Sequence, residues 1–175
     1  ERTCSAVAQK LGCYQDEIIV ASTGVIGVPL PFSPIEDGIP ELLKKLDNLP
    51  AGSDLAANAI MTTDTKKKEF AFEFDLEGTT IHIGGICKGS GMIQPNMATM
   101  LCFITTDAAV SPGMLRAALG DVIGETFNMV SVDGDTSTND MVTILASGCA
   151  ENDEIVLPGD DFDLFKAALR ELCTC

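Results

Sequence analysis

Phe70-Ala-Phe-Glu-Phe-Asp-Leu-Glu-Gly-Thr-Thr-Ile-His-Ile-Gly84 is the stretch on which the fold turns. Phe70, Phe72, Phe74 and Leu76 alternate with Ala71, Glu73 and Asp75. That period of two gives a strand one apolar face and one wet face. Leu76-Glu-Gly-Thr79 supplies turn chemistry and Thr80-Ile-His-Ile-Gly84 resumes the strand, so the spacing predicts an antiparallel hairpin. Outward from it, Met100–Thr105 and Met141–Ala146 are continuous apolar runs that read as buried strands. A third such run, Glu17–Ala21, stops at Ser22-Thr-Gly and reads as a buried strand ending in a turn.

Helical spacing fills the intervals. Residues 1–12 place Cys4, Val7, Ala8 and Leu11 on one face. Val28-Pro-Leu-Pro-Phe-Ser-Pro34 stays extended because of its three prolines. Ile39–Leu46 reads as a helix with Pro40 in its first turn, and another begins near a Ser53-Asp54 cap. Ser111-Pro-Gly opens a helix running to about Phe127. Asp160–Cys173 forms the last, with Phe162, Phe165, Leu169 and Leu172 turned inward. Hairpin strands mixed with paired helices predict an α+β fold, a layered sandwich whose mainly antiparallel sheet is flanked by helices.

With 175 residues, 46% of them hydrophobic, the chain can bury one sizeable core, and a single domain over residues 1–175 is the expectation. A formal charge of −15 argues against nucleic acid, whose phosphates it would repel. No apolar stretch approaches the ~18 residues of a membrane span, and no signal peptide is visible. The seven cysteines are an odd count, with Cys87, Cys102 and Cys149 in predicted core segments. That pattern favours reduced, buried thiols in a cytoplasmic protein. Cys173 and Cys175 lack two partner ligands for zinc, so no metal is expected there. Asp133-Gly-Asp-Thr-Ser-Thr-Asn-Asp140 fails as a calcium loop, because Thr138 stands where glycine is needed and Ile144 where a bidentate glutamate is. It reads as a hydrogen-bonded turn feeding the strand at Met141.

The chemistry centres on Lys88-Gly-Ser-Gly-Met-Ile-Gln-Pro-Asn-Met-Ala-Thr-Met-Leu101. Thr99 follows a small residue, Ala98, at the start of a buried strand. A threonine hydroxyl is a poor nucleophile, and the only histidine, His82, lies mid-strand in the hairpin, where a surface or packing role fits it. Cutting the chain between Ala98 and Thr99 would free an α-amine to act as the base for the hydroxyl beside it. Such an amine titrates near ~8, so a useful fraction is free at neutral pH. Thr23 and Gly24, a hydroxyl and a slim backbone N–H at the end of a predicted strand, are candidate oxyanion donors. Lys88, the lone charge in its neighbourhood, is a candidate anchor for a substrate carboxylate. Its surroundings do not match a phosphate-binding Gly-Lys-Ser/Thr loop.

Gly84–Leu101 together with Ile104-Thr-Thr-Asp-Ala108 closely resembles the core of the bifunctional ornithine acetyltransferase / N-acetylglutamate synthase family of arginine biosynthesis. Ser22-Thr-Gly-Val-Ile-Gly27, Ala59-Ile-Met-Thr-Thr-Asp-Thr65 and Ser131-Val-Asp-Gly-Asp-Thr-Ser-Thr-Asn-Asp140 match in the same order. The resemblance covers essentially the whole chain. It implies a sandwich of sheets flanked by helices, self-cleavage at Ala98–Thr99, and acetyl transfer from N-acetylornithine to glutamate through an acetyl-Thr99 enzyme. It puts the oxyanion hole at Thr23 and Gly24, and substrate contacts at Thr62, Lys88 and Thr99, although the residues alone do not choose between Thr62 and Thr63. It implies no organic cofactor, with acetyl-CoA as a further acetyl donor in some members, and cleaved halves that assemble into homo- or hetero-oligomers such as heterotetramers. The family's chains are longer, with a segment before the Ser-Thr-Gly strand and a glutamate-bearing Asp-Gly-Glu-Gly-like word after the region matched here. The chain therefore reads as the central piece of a longer precursor. Two rival readings are a related N-terminal-nucleophile aminopeptidase and an uncleaved, inactive core.

Overall fold

Antiparallel pairing of Lys68–Leu76 (β1) with Thr79–Lys88 (β2) realises the predicted hairpin, in the register Phe72 opposite Ile83 and Phe74 opposite Ile81. The structure is a computed structural model that describes residues 1–25, 27–91, 100–134, 137 and 139–175. Glu77 and Gly78 turn the hairpin with φ of 49° and 86°. Positive φ at both central residues lets a two-residue turn follow the twist of its strands. Gly78 accepts that conformation freely, whereas Glu77 bears its Cβ cost.

The chain divides into two compact units, residues 1–56 and 57–175. In the second unit the sheet has the order β1-β2-β3-β4, with Leu101–Thr106 as β3 and Met141–Ala146 as β4. β2 and β3 run antiparallel, but β3 and β4 run parallel. The sheet is thus mixed, with antiparallel pairing predominant, and the class is α+β. Pro112–Glu125 (α4) fills the long connection that a parallel pair requires. Its start is capped by the Ser111 hydroxyl, which accepts from the Met114 N–H at 3.4 Å.

Asp160–Thr174 (α5) carries Asp160, Asp161 and Asp163 in its first turn, where the helix dipole favours negative charge. It packs on β1 and β2 and against α4. Ile81, Ile83, Ile104, Val122, Phe165 and Leu169 are fully enclosed between these elements. Each such side chain contributes about 1.5–3 kcal/mol by leaving water. Gly85 makes the approach of α5 possible, since a Cβ there would stand 3.3 Å from the Phe103 carbonyl and 3.6 Å from Leu172 Cδ2. Of the cysteines expected in the core, Cys102 is buried and Cys87 half-buried, but Cys149 is exposed. It sits just past β4, in the turn after Gly148, where the chain has already left the core.

The first unit holds Arg2–Leu11 (α1) and Ser33–Leu43 (α2), with Arg2 stacked 3.9 Å over the Phe32 ring. Pro50–Ala59 (α3) begins in this unit and runs into the second. α2 starts earlier than the proline spacing suggested. Pro34 takes the first-turn position, which leaves Pro40 inside the helix. α3 likewise starts at Pro50 and not at Ser53. The strand expected over Glu17–Ala21 is not formed. Gln15–Glu17 makes a 3-10 turn, and Ile19 and Val20 are 48% and 43% exposed. A strand needs a ladder partner for its backbone groups, and the described residues of this unit supply none. No helix among the described residues is long and apolar enough to cross a membrane.

Candidate functional site

One end of the sheet gathers the residues of interest. β2 leaves the sheet at Lys88, and β3 and β4 enter it from the same end at Leu101 and Met141. The three residues stand in one row across the strands. Lys88 is only 4% exposed. Among the described residues its ammonium has no hydrogen-bond or ion-pair partner. A buried cation is costly unless a negative charge or hydrogen-bond acceptors meet it, so this position suits an anionic group.

On one side of Lys88, Asp64 ties the 61–67 loop to the strand end. Its Oδ1 accepts from the Gly89 N–H at 2.8 Å and from the Lys68 ammonium at 2.6 Å, and its Oδ2 from the Thr62 N–H at 3.4 Å. Burial pushes this carboxyl up, but the Lys68 hydrogen bond and the two amides outweigh it, leaving Asp64 below its ordinary range. The Thr63 hydroxyl adds a second tie, 2.6 Å from the Ser90 hydroxyl. Thr63 is therefore occupied, while the Thr62 hydroxyl makes no hydrogen bond to a described residue.

On the other side stands Asp140. Its Oδ1 accepts from the Met100 N–H at 2.8 Å, and the neighbouring Met141 N–H donates to the Met100 carbonyl at 2.9 Å. Both backbone groups of Met100 are thereby held. Asp140 Oδ2 is buried with no partner among the described residues. Burial pushes this carboxyl above its ordinary range, against the opposing pull of the Met100 amide, the Ser137 hydroxyl and the Lys88 charge.

Thr99 and Ala98 lie outside the described residues, as do Asp135, Thr136 and Thr138 of the acidic word. Thr99 is nevertheless bonded to Met100, whose amide the structure places. Thr23 is half-buried and Gly24 exposed within the first unit, in chain that is not strand. Lys88 and the Thr62 loop are brought together by Asp64. His82 is remote from this end: its Nδ1 lies 2.7 Å from Asp107 Oδ2 and its ring is largely solvent-exposed. Asp64 and Asp140 escaped the sequence reading. Asp64 sat inside the Ala59–Thr65 word, which was read for its threonines, and Asp140 inside a word read as a turn; the available signal was a carboxylate directly flanking a loop or strand with reactive candidates.

The family model described as the ArgJ family matches residues 1–175. The chain belongs to the ArgJ family. Among curated relatives, the arginine biosynthesis bifunctional protein ArgJ of Bacillus subtilis is 49% identical over 96% of this chain and 40% of its own length. The protein of the same name from Lactococcus lactis is 46% identical over 98% of this chain and 42% of its own. The chain thus spans about two-fifths of the relatives it matches. A crystal structure of ArgJ from Bacillus halodurans, 49% identical, aligns over 41% of this chain and 34% of its own with a TM-score of 0.39.

Proposed function

We propose that this ArgJ-family chain carries the nucleophile half of a glutamate N-acetyltransferase of arginine biosynthesis, activated by cleavage between Ala98 and Thr99. The observation that carries the reading is Lys88, a buried cation with no hydrogen-bond or ion-pair partner among the described residues, at the sheet end to which Thr99 is joined through Met100. The printed names of the relatives, bifunctional proteins of arginine biosynthesis, agree with it.

In this mechanism the Thr99 hydroxyl first attacks the Ala98 carbonyl. The C–N bond to Thr99 breaks, its nitrogen takes up a proton, and water opens the resulting ester. The freed amine then takes the hydroxyl proton as the oxygen attacks the acetyl carbonyl of N-acetylornithine. Thr23 and Gly24 supply oxyanion donors, and the loss of one such donor typically costs about 3–4 kcal/mol of barrier. Collapse expels the ornithine amine, which leaves with that proton. The amine of glutamate then takes the acetyl group from Thr99 by the reverse sequence, without an organic cofactor. Lys88 holds the substrate α-carboxylate and Thr62 donates its hydroxyl, which has no hydrogen-bond partner among the described residues. The reaction belongs in the cytoplasm, with the cut pieces remaining associated.

Denaturing intact mass spectrometry tests the reading. Two pieces are expected, the second beginning at Thr99. That piece should gain one acetyl group from N-acetylornithine and lose it to glutamate. Cleavage followed by peptide hydrolysis without acetyl labelling would favour an aminopeptidase. A single uncut mass would make the chain an inactive core.

A further inference from the structure

The acetyl-transfer chemistry uses none of the cysteines, yet several of them meet where α5 covers the sheet. A cavity of about 270 Å³ is lined by Cys87, Cys102, Cys173 and Cys175, with Phe70 and Leu172 among its apolar walls. Cys87 on β2 stands directly opposite Cys102 on β3. Residues so paired in an antiparallel ladder have α-carbons ~4.5–5.5 Å apart, inside the ~4.4–6.8 Å that a disulfide spans. Directly opposed residues also project from the same face of the sheet, so the two sulfurs start on one side of it. The Cys102 S–H donates to the Cys87 sulfur, and the Cys87 S–H reaches the Lys88 carbonyl at 3.8 Å. Cys87 is half-buried and Cys102 buried, so of the pair Cys87 is the one a small solute in the cavity meets.

The surroundings divide the roles. The Cys102 hydrogen bond holds the Cys87 thiol below its ordinary range against the opposing effect of burial; Lys68 from β1 and Lys88 from β2 add to the lowering, and Asp64 takes from it. Cys102 goes up, because its proton is spent in that hydrogen bond and its sulfur is buried. On α5, Cys173 is pushed up to about 12, by burial first and by Cys87 second. Lys67 and Glu69, which also line the cavity, are paired with each other. We propose that Cys87 and Cys102 are a peroxide-oxidisable dithiol, with Cys87 the attacking sulfur and Cys102 the resolving one. The Cys87 thiolate attacks one oxygen of hydrogen peroxide, the O–O bond breaks, and the hydroxide that leaves takes a proton to become water. The Cys102 sulfur then attacks the sulfenic sulfur of Cys87. The S–O bond breaks, the departing hydroxide carries off the Cys102 proton as a second water, and the S–S bond forms. Two thiols are thereby oxidised and one peroxide reduced. The bridge ties β2 to β3 one residue from Lys88, and its formation depends on neither cleavage nor acetyl transfer.

The test treats the reduced chain with hydrogen peroxide at neutral pH and maps its peptides without reduction. Wild type should lose two hydrogens and yield a peptide pair joined at Cys87 and Cys102, which dithiothreitol separates. Cys87 should be consumed at least about tenfold faster than Cys173, since a thiol pushed that high is almost wholly protonated at neutral pH. In Cys102→Ser the hydroxyl still donates to Cys87 but cannot bridge. Sulfenic acid trapped by dimedone at Cys87 should then rise at least about tenfold over wild type. Cys173→Ser should bridge as wild type does. A bridge from Cys87 to Cys173 or Cys175 overturns the assignment of Cys102, as does loss of the bridge in Cys173→Ser. A wild-type chain in which Cys87 stays reduced, or passes to sulfinic acid without bridging, overturns the dithiol itself. Should Cys102→Ser fail to fold, the wild-type map decides alone.

Discussion

Asp64 and Asp140 are two half-buried carboxylates on opposite sides of Lys88, and the chain treats them differently. Asp64 accepts hydrogen bonds at both oxygens, from an ammonium and two amides, and is held below its ordinary pKa. Asp140 has one oxygen satisfied and one left over, and is held above its ordinary pKa. A saturated carboxylate is a structural tie, because every lone pair that matters is already committed. A half-saturated one keeps acceptor capacity in reserve, which a fold tolerates where something is to arrive.

The largest effect follows from removing the charge between them. Lys88→Met should raise the KM for the acetylated amino acid about 100-fold, since a charge-assisted hydrogen bond contributes ~1.5–3 kcal/mol. It should also separate the two carboxylates. Asp140 loses a charge that pulls it down and titrates still higher, while Asp64, which owes its shift to Lys68 and two amides, stays in place. A carboxyl-carbon NMR titration of wild type and Lys88→Met reads both. Movement of Asp64 together with Asp140 would sink the distinction.

Stability gives the next contrast. Asp64→Ala strands the Gly89 N–H and should cost about 1–3 kcal/mol in urea unfolding. Asp140→Ala strands the Met100 N–H but also removes a buried unpartnered oxygen, so its cost should be smaller. The pH dependence has opposite signs. Asp64 has a depressed folded pKa, so its contribution is present above the unfolded value of ~3.9 and is lost as pH falls through the folded one. Asp140 has a raised folded pKa and binds its proton more tightly when folded. Stability attributable to it therefore falls as pH rises from ~3.9 through that raised value. Asp140→Asn should flatten the second slope and leave the first. Equal slopes in wild type and Asp140→Asn would refute the assignment.

The sheet unit was legible because its signals are local and agree with one another. The Phe70–Leu76 alternation, the Glu77-Gly78 turn, the Ser111 cap and the apolar stripe of α5 each specify their own element. The parallel β3–β4 pair was not legible, since direction in a pair depends on the connection and not on either strand. The Glu17–Ala21 run failed for a related reason: apolar content makes a segment fit to be a strand, but only a neighbour makes it one. At the site, the resemblance pointed to Lys88, yet a lysine beside Gly-Ser-Gly reads as solvated by default. Its burial comes from the register that sets it opposite Leu101. Asp140 was hidden more deeply, because its partner, Met100, lies 40 residues earlier and meets it only through strand pairing.

The smallest effect concerns the two adjacent threonines on the Asp64 side. Thr63 spends its hydroxyl on Ser90 at an exposed position, so Thr63→Val should cost no more than about 1 kcal/mol of stability. Thr62 is also exposed, and its hydroxyl has no described partner, so Thr62→Val should leave the unfolding midpoint unchanged within error. The substrate should see the reverse order, with KM rising more in Thr62→Val than in Thr63→Val. Paired urea titrations and steady-state kinetics separate the two outcomes. If Thr63→Val raised KM more, the Ser90 tie would be a resting arrangement that substrate displaces, and the closed flank of the site would be open after all.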